Sequence, residues 1–328
     1  MAEMTMVEAL NHTLEREMAR DDDVLLLGED VGIDGGVFRV TDGLREEFGA
    51  GRVLDTPLAE AGIVGASVGM ALAGLRPVCE LQFSGFSYFA FHQIESHAAR
   101  MRWRSGGGLT VPMVVRMPYG AGVRALEHHS ESREVYFAHT PGLKTVIPSS
   151  PRTAKSLLSA AIRDPDPVIF MEPKQIYRSL RQDVPDEDDV HRIGQARVVR
   201  PGSDLTVIGY GAMVSRLEAC ASTLAEDDGV EVELIDLLSL SPLDEETLVT
   251  SVKKTGRALI VHEAPGSYGP AGEITTRLVE RCFYHLQAPV GRVTGYDIMT
   301  PYFARESYQV PDEARILASA REVLDAQA

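Results

Sequence analysis

Several residue types are scarce in this chain of 328 residues, and each scarcity excludes a class of protein. The three cysteines, Cys79, Cys220 and Cys282, lie far apart without CxxC spacing, so we predict neither a disulfide framework nor a zinc site. No apolar run comes near the length of a membrane span, about 20 residues, and no secretory signal is visible. We therefore expect a cytoplasmic protein that does not act at a membrane.

Positive charge is also scarce. The chain has 32 lysines and arginines against 48 aspartates and glutamates, a net charge of −16, and only five of the basic residues are lysines. An excess of carboxylates repels the phosphate backbone of nucleic acids, so we expect no nucleic-acid partner. The preference for arginine fits either a salt-adapted organism or a GC-rich genome, and the sequence leaves both open.

Apolar residues make up 44% of the chain, which is ample for the cores of two domains. Val7, Leu10, Leu14 and Met18 recur at helical spacing and predict an opening amphipathic helix. Short apolar runs then alternate with helical patterns, which predicts parallel sheets covered by helices on both faces. The predicted strands are 24–27, 78–81, 112–117, 143–147, 168–171, 205–208, 230–235, 258–261 and 292–294. The predicted helices include 40–48, 89–104, 151–163, 214–224, 245–254, 271–284 and 311–326.

A polar connector interrupts this alternation near the middle of the chain. Pro185 and the acidic run 186–189 mark it. We therefore predict a first α/β domain in residues 1–180, a linker in 181–200 and a second, smaller α/β domain in 201–328.

A stretch rich in small residues, 55–74, lies within the first half. Gly62, Gly65 and Gly69 recur there although glycine weakens a helix by about 1 kcal/mol relative to alanine, so we predict a helix that another backbone approaches closely. Glu60 is the only charged residue after Pro57 in this stretch. From these residues alone, Glu60 is either a first-turn acid that the helix dipole favours or a working acid/base.

The same stretch contains Gly65-Ala66-Ser67-Val68-Gly69, which matches the G-x-S-x-G motif of hydrolases. That motif needs a strand directly before its serine, whereas Ser67 lies inside the predicted helix. We therefore disfavour a hydrolase, which would require Ser67→Ala to abolish an esterase activity.

Three separated motifs carry a family resemblance: Gly28-Glu29-Asp30-Val31, the stretch around Glu60, and His129-Ser130-Glu131-Ser132. On these motifs, residues 4–324 resemble the β subunit of the thiamine-diphosphate-dependent 2-oxo acid dehydrogenases, within the transketolase-like superfamily. The resemblance implies two parallel-sheet α/β domains, a transketolase-like pyrimidine-binding domain followed by a transketolase C-terminal-type domain. It also implies oxidative decarboxylation of pyruvate or a branched-chain 2-oxo acid, then transfer of the acyl group to a lipoyl acyltransferase.

The same resemblance assigns roles to individual residues. The carboxyl group of Glu60 would hydrogen-bond the aminopyrimidine ring of thiamine diphosphate and act as an acid/base, with Leu58, Gln82 and Phe86 beside that ring. Phe86 can stack on the pyrimidine, but it lacks the hydroxyl group of the tyrosine that some relatives carry.

The loop motif supplies a candidate histidine. His129 matches the family's active-site histidine, which would stabilise the substrate carboxylate or an oxyanion and serve acyl transfer to lipoate. His128 is a one-residue alternative that spacing does not exclude. We expect His139 to be structural.

Residues 161–167 resemble the segment that binds a potassium ion in this family. Asp164 and Asp166 would join Ala161, Ile162 and Met113, largely through carbonyl oxygens. The alternative is a helix end followed by turn residues, and both readings stay open.

One motif of the family is missing. The magnesium-diphosphate motif, Gly-Asp-Gly followed downstream by Asn, occurs nowhere in the chain. The resemblance therefore implies an α subunit that holds magnesium and the diphosphate half of the cofactor, in an assembly of two α and two β chains. It also implies that the C-terminal domain docks on a lipoyl acyltransferase core, where an acidic surface could meet a basic module. The alternatives are the β subunit of an acetoin dehydrogenase and a non-catalytic scaffold subunit.

Overall fold

The computed structural model describes residues 2–326 of the chain. The strands of its first part are β1 (Ala2–Met4), β2 (Val24–Gly28), β3 (Val53–Asp55), β4 (Arg76–Glu80), β5 (Val114–Tyr119), β6 (Lys144–Val146), β7 (Val168–Pro173) and β8 (Gln182–Val184). The helices of this part are α1 (Met6–Arg20), α2 (Leu44–Phe48), α3 (Glu60–Leu72), α4 (Ser87–Gln93), α5 (Met101–Arg104), α6 (Glu134–Ala138) and α7 (Pro151–Arg163).

The rest of the chain repeats the alternation. Its strands are β9 (Arg197–Arg200), β10 (Leu205–Gly209), β11 (Val232–Asp236), β12 (Ser239–Ser241), β13 (Ala258–Pro265) and β14 (Gly291–Gly295). Its helices are α8 (Met213–Asp228), α9 (Glu245–Thr255), α10 (Pro270–Cys282), α11 (Glu306–Gln309) and α12 (Glu313–Asp325). No helix within residues 2–326 is long and apolar enough to cross a membrane.

A seven-stranded sheet with α1 to α7 forms the first domain, in the strand order β12-β6-β7-β5-β4-β2-β3. Strands β2 to β7 are parallel, so their carboxyl ends share one edge of the sheet. All residues of β2, β5 and β7 are buried, as expected for a parallel sheet with both faces covered. The edge strand β12 comes from the second half of the chain and pairs antiparallel with β6.

A five-stranded sheet with α8 to α12 forms the second domain, in the order β14-β13-β10-β11-β9. Four of its strands, β10, β11, β13 and β14, are parallel to one another, and β9 is antiparallel to β11. Strands β1 and β8 form a separate antiparallel pair.

Local signals explain where the long helices begin. Ser150 and Thr153 form a capping box before α7, and Pro151 occupies its first turn, where its missing N–H costs nothing. Thr5 and Glu8 form a second capping box at the start of α1. The ion pair between Arg163 and Glu17 then ties these two helices together.

The predicted α/β architecture is confirmed, but three local predictions are wrong. In the predicted helix 40–48, regular helix begins only at Leu44, because Gly43 at φ 80° interrupts it. The predicted helix 89–104 is three pieces: α4, a π-helical turn at Ile94–Ala98, and α5.

The third correction concerns the connector. The predicted linker 181–200 contains β8 and β9, which are short and lack an apolar pattern, so the sequence did not reveal them. Strand β3 was missed for the same reason. The domain limits at 180 and 201 stay a prediction.

Candidate functional site

The candidate site lies at the carboxyl ends of neighbouring parallel strands. In the sheet order β5-β4-β2-β3, each of these strands is followed by a polar residue of the site region. Glu60 follows β3, Glu29 follows β2, Gln82 follows β4, and the loop with His129 follows β5. Ligands of open parallel sheets bind at this edge because the strand ends and helix starts converge there. We call these four strand ends the site edge.

Glu60 begins α3, and its side chain is 7% exposed. No described residue donates a hydrogen bond to its carboxylate. The pKa of Glu29 is raised by burial and then by the negative charges of Glu60 and Asp30. Glu29 therefore lies close enough to Glu60 for the two carboxyl groups to repel each other. A carboxylate that receives no hydrogen bond from the protein is available to a ligand.

The helix behind Glu60 explains the run of small residues. A Cβ atom at Gly65 would lie 3.5 Å from the side chain of Gln93, so α4 packs closely against α3. Ser67 is fully buried inside α3 and donates to the carbonyl oxygen of Ile63 at 2.8 Å. A helical, buried serine does not have the geometry of a nucleophile elbow.

Gln82 joins two loops of the site edge. Its Nε2 donates to Oδ2 of Asp30 at 3.0 Å, and Asp30 adopts a positive φ of 58°. The loop after β2 is thereby held against the loop after β4, next to Glu29.

An aromatic cluster surrounds His129. The ring of His129 lies 4.5 Å from the ring of Phe83 and 5.2 Å from that of Phe86, both edge to face. The Nδ1 atom of His129 is buried without a hydrogen-bond partner. Burial, then the neighbouring His128 and Lys174, lower the pKa of His129, so the neutral imidazole is favoured.

The other predicted residues differ in placement. The side chain of His128 is partly exposed, with its ring 5.5 Å from that of Phe86. His139 follows α6 and is not part of the aromatic cluster around His129. Leu58 is 78% exposed.

A buried ion network below the site edge was missed from the sequence. Arg116 on β5 donates to Glu80 at 2.9 Å and, with two nitrogens, to Glu172 at 2.7 and 3.1 Å. The hydroxyl group of Tyr177 donates to the same Glu172 at 2.5 Å. Burial raises the pKa of Glu80, and Arg116 opposes that rise. The available signal was that Glu80 and Glu172 lie at the ends of apolar strands.

The candidate potassium residues come together at the start of β7. Met113 accepts from the Val168 amide at 3.0 Å, and Ala161 accepts from the Asp164 amide at 3.3 Å. The carbonyl oxygen of Ile162 accepts from Arg76 at 3.1 Å.

The two carboxylates of this segment already face a cation. The Lys144 ammonium donates to both oxygens of Asp164 at 2.6 and 2.7 Å and lies 3.7 Å from Asp166. Within residues 2–326, no cluster of three or more histidine, cysteine, aspartate or glutamate side chains is arranged to hold a metal ion. A site here would depend on carbonyl oxygens.

A cavity of about 930 Å³ lies between the two domains and not at the site edge. Ser130 and Arg133 line it from the first domain, and Glu263 and Met299 line it from the second. Its lining does not include Glu60, Gln82 or Phe86. The candidate site is therefore identified by its place at the strand ends, where Glu60 has no donor among the described residues and Nδ1 of His129 is buried without a partner, and not by this cavity.

Comparisons with known proteins agree on the architecture. The model of the transketolase pyrimidine-binding domain matches residues 2–179, and that of the transketolase C-terminal domain matches residues 194–316. The chain is 50% identical over 327 residues to the pyruvate dehydrogenase E1 component subunit β of Acholeplasma laidlawii, covering 100% of both chains. It is 47% identical over 325 residues to the protein of that name from Bacillus subtilis (strain 168), covering 99% of this chain and 100% of the relative.

A solved structure shares the fold over the full length of both chains. It is described as a split gene transketolase, inactive β4 tetramer, and it matches with a TM-score of 0.79 at 18% sequence identity. At that identity the match establishes the fold alone.

Proposed function

The chain belongs to the family of pyruvate dehydrogenase E1 component β subunits, and on that premise we propose that it decarboxylates a 2-oxo acid on thiamine diphosphate together with an α subunit. The names of the relatives favour pyruvate over a branched-chain substrate. The observation that carries the proposal is Glu60 at the site edge, a residue that is 7% exposed and whose carboxylate receives no hydrogen bond from the described residues.

The residues of the site edge fit the aminopyrimidine half of thiamine diphosphate. Glu60 offers a carboxylate with no donor from the described residues, which suits a ring nitrogen that carries or accepts a proton. Gln82 offers an amide, and Phe86 offers an aromatic surface beside His129. A flat, polar heteroaromatic ring matches this combination of acceptor, amide and aromatic face.

The chemistry divides between the cofactor and this chain. Thiamine diphosphate, when bound, supplies the nucleophilic carbon and the electron sink for decarboxylation. Glu60 holds a proton at its carboxyl oxygen and returns it, a role that contributes about 10²–10⁴-fold to a rate. His129 presents a neutral imidazole whose free Nδ1 can exchange a hydrogen bond with substrate, while Phe83 and Phe86 keep water from it.

A partner chain is needed for the rest of the site. The sequence lacks the Gly-Asp-Gly and Asn motif that would hold magnesium and the diphosphate, so we assign both to the α subunit. Leu58, two residues before Glu60, is 78% exposed, and Ile33, whose amide donates to Asp55 at the end of β3, is 76% exposed. We propose that the α subunit covers these apolar side chains in an assembly of two α and two β chains.

Two further properties follow from the family membership and remain proposals. The first is a potassium ion bound by carbonyl oxygens of Met113, Ala161 and Ile162, together with Asp164 and Asp166. The second is transfer of the acyl group to a lipoyl group on an acyltransferase core that docks on the second domain.

The proposed function can be tested by co-purifying the chain with its α subunit and measuring decarboxylation. Pyruvate, 3-methyl-2-oxobutanoate and acetoin would be compared, for wild type and Glu60→Gln, with thiamine diphosphate and magnesium present. We expect turnover of pyruvate and a fall in kcat of about 10²–10⁴-fold in the variant, because glutamine cannot hold the proton. Glu46→Gln, an exposed acid on α2, is the matched control.

Undiminished kcat in Glu60→Gln would mean that Glu60 is a first-turn acid only, and the proposal would fail. Turnover of acetoin in place of 2-oxo acids would select the acetoin dehydrogenase alternative. Comparing His129→Ala with His128→Ala under single-turnover conditions, with and without lipoyl domain, would separate the two histidines. We expect the larger loss for His129, because its ring is the one packed on Phe83 and Phe86.

A further inference from the structure

The two histidines lie on a long connection between β5 and α6, residues 120–133, which we call the histidine loop. Its regular structure is limited to a 3₁₀ turn at Glu127–His129. Gly120 and Gly122 turn its first residues at φ values of 79° and 111°. A loop with so few internal bonds takes its shape from side chains that reach it from elsewhere.

Glu306 reaches the histidine loop from the second domain. It begins α11 and is 3% exposed. One carboxylate oxygen accepts from the Arg124 amide at 3.0 Å, and the other accepts from the Ser130 hydroxyl at 3.1 Å. These two donors lie on either side of His128 and His129, so a single carboxylate bridges the segment that contains both histidines.

Lys174 holds the same loop from the first domain. It follows β7, is 2% exposed, and its ammonium donates to the carbonyl oxygens of Gly120 and of His129, the latter at 2.6 Å. The ammonium also lies 5.8 Å from the centre of the Phe83 ring, on which His129 packs.

Buried groups of both charges surround the loop. Glu263 accepts from the Ala121 amide at 3.1 Å, so a second acid of the second domain contacts the start of the loop. Burial lowers the pKa of Lys174 to about 8, while Glu263 and Glu306 favour its charged form. Separating the buried carboxylate of Glu306 from its two donors, or the buried ammonium of Lys174 from its two acceptors, costs free energy, so both contacts favour a rigid loop.

We propose that Glu306 is a positioning residue of the reaction, and that with Lys174 it clamps the histidine loop so that the His129 ring stays on Phe83 and Phe86. This inference rests on the proposed function for its catalytic consequence. It gives the second domain a direct part in the site at the edge of the first. Glu306 touches the loop and not the reacting atoms, so it acts through His129.

The test uses the assembled complex with the α subunit and the variants Glu306→Ala and Glu306→Gln. Hydrogen exchange, followed by mass spectrometry on peptides covering residues 121–131, reports the loop independently of activity. We expect Glu306→Ala to speed exchange there by about tenfold or more and to lower kcat by about tenfold or more, with a smaller change in KM. Glu306→Gln should restore part of both, because its amide oxygen still accepts.

The control is Glu313→Gln, which removes an exposed carboxylate on the neighbouring α12. It should match wild type in exchange and in kcat. Ser130→Ala removes one of the two donors to Glu306 and serves if Glu306→Ala fails to assemble. It should produce a smaller change of the same sign in both measurements.

Unchanged exchange at residues 121–131 in Glu306→Ala and Ser130→Ala would overturn the clamp. Faster exchange with unchanged kcat would show that the clamp does not position His129, and would overturn the inference as well. If the wild-type complex shows no 2-oxo acid turnover but the loop still opens in Glu306→Ala, the proposed function fails. In that case the clamp stands and its positioning role in decarboxylation is rejected.

Discussion

The two sheets of the protein present similar carboxyl edges but use them differently. At the site edge of the first sheet, Glu60 has no donor among the described residues. In the second sheet, polar residues at or near the carboxyl ends of three strands bind the first domain. Tyr210, after β10, donates to Glu134 at 2.6 Å. Asp236, at the end of β11, accepts from Ser149 at 2.5 Å, and Glu263 on β13 accepts from the histidine loop.

This difference shows how a ligand site can be distinguished from a contact between domains when both lie at the carboxyl edge of a parallel sheet. Both edges place polar groups after buried apolar strands, so strand order and burial do not distinguish them. What distinguishes them is that the edge of the second sheet binds the first domain, whereas no described residue donates a hydrogen bond to Glu60 at the site edge. The first arrangement holds two domains together, and the second leaves a carboxylate available to a ligand.

The largest effect on stability should come from breaking the ion network below the site edge. Arg116→Met leaves Glu80 and Glu172 buried without their common partner, and should destabilise the protein by about 3–5 kcal/mol. Urea denaturation of the purified chain measures this. Arg321→Met, which removes a surface pair with Asp228, is the control and should cost under about 1 kcal/mol. A loss below about 1 kcal/mol for Arg116→Met would mean that the two acids do not need the arginine.

A second effect concerns His262 in the second sheet and depends on pH. His262 on β13 is fully buried, with Nδ1 3.1 Å from the Ala264 carbonyl oxygen and Nε2 accepting from the Ala271 amide. Burial lowers its pKa to about 4 from an ordinary 6.5. The unfolded chain therefore binds a proton at pH values where the folded chain does not. This contribution to stability is present above pH 6.5 and is lost as pH falls towards 4.

The size of that loss is about 3 kcal/mol between neutral pH and pH 4. His262→Asn removes the titrating group, so its stability should fall less steeply than that of wild type in this window. His285→Asn, at an exposed histidine, should follow wild type. Glu134 and Asp236 have pKa values raised by burial to about 7 and about 6 and give the opposite slope. The informative quantity is therefore the difference between variant and wild type, and equal slopes would contradict the assignment.

The smallest effect on stability should come from changing an exposed apolar side chain beside the site edge. Leu58→Ser removes an apolar side chain that is 78% exposed, so the stability of the isolated chain should change by under about 0.5 kcal/mol. Its affinity for the α subunit, measured by calorimetry, should fall. Val190→Ser, at an exposed apolar residue of the connector, should leave that affinity unchanged. An unaltered affinity for Leu58→Ser would place the α interface elsewhere.

The elements that the sequence predicted well are those with a periodic signal. Helices α1 and α7 were expected from apolar spacing and from Pro151, and the buried strands β2 and β7 from continuous apolar runs. The π-helical turn at Ile94–Ala98 was not expected. Single turns with i→i+5 hydrogen bonds are rare, so a helical pattern by itself does not predict them.

The residues of the site also divide into those that a local sequence pattern indicates and those that it does not. Glu60 could be singled out from the sequence because it is a lone acid in a small-residue helix. Arg116 could not, because a single polar residue in an apolar strand does not indicate which neighbours it will meet. Glu306 lies 182 positions from Arg124, whose amide it binds, and no local pattern links them.

The sequence by itself determined the alternation of strands and helices, the family, and the acid that begins α3. Only the tertiary structure decided that His129 packs on Phe83, that Arg116 joins two buried acids, and that the second domain holds the histidine loop. The reason is physical. Hydrophobic periodicity records the burial of each residue along its own element, whereas a polar contact depends on which distant elements the fold brings within hydrogen-bond distance.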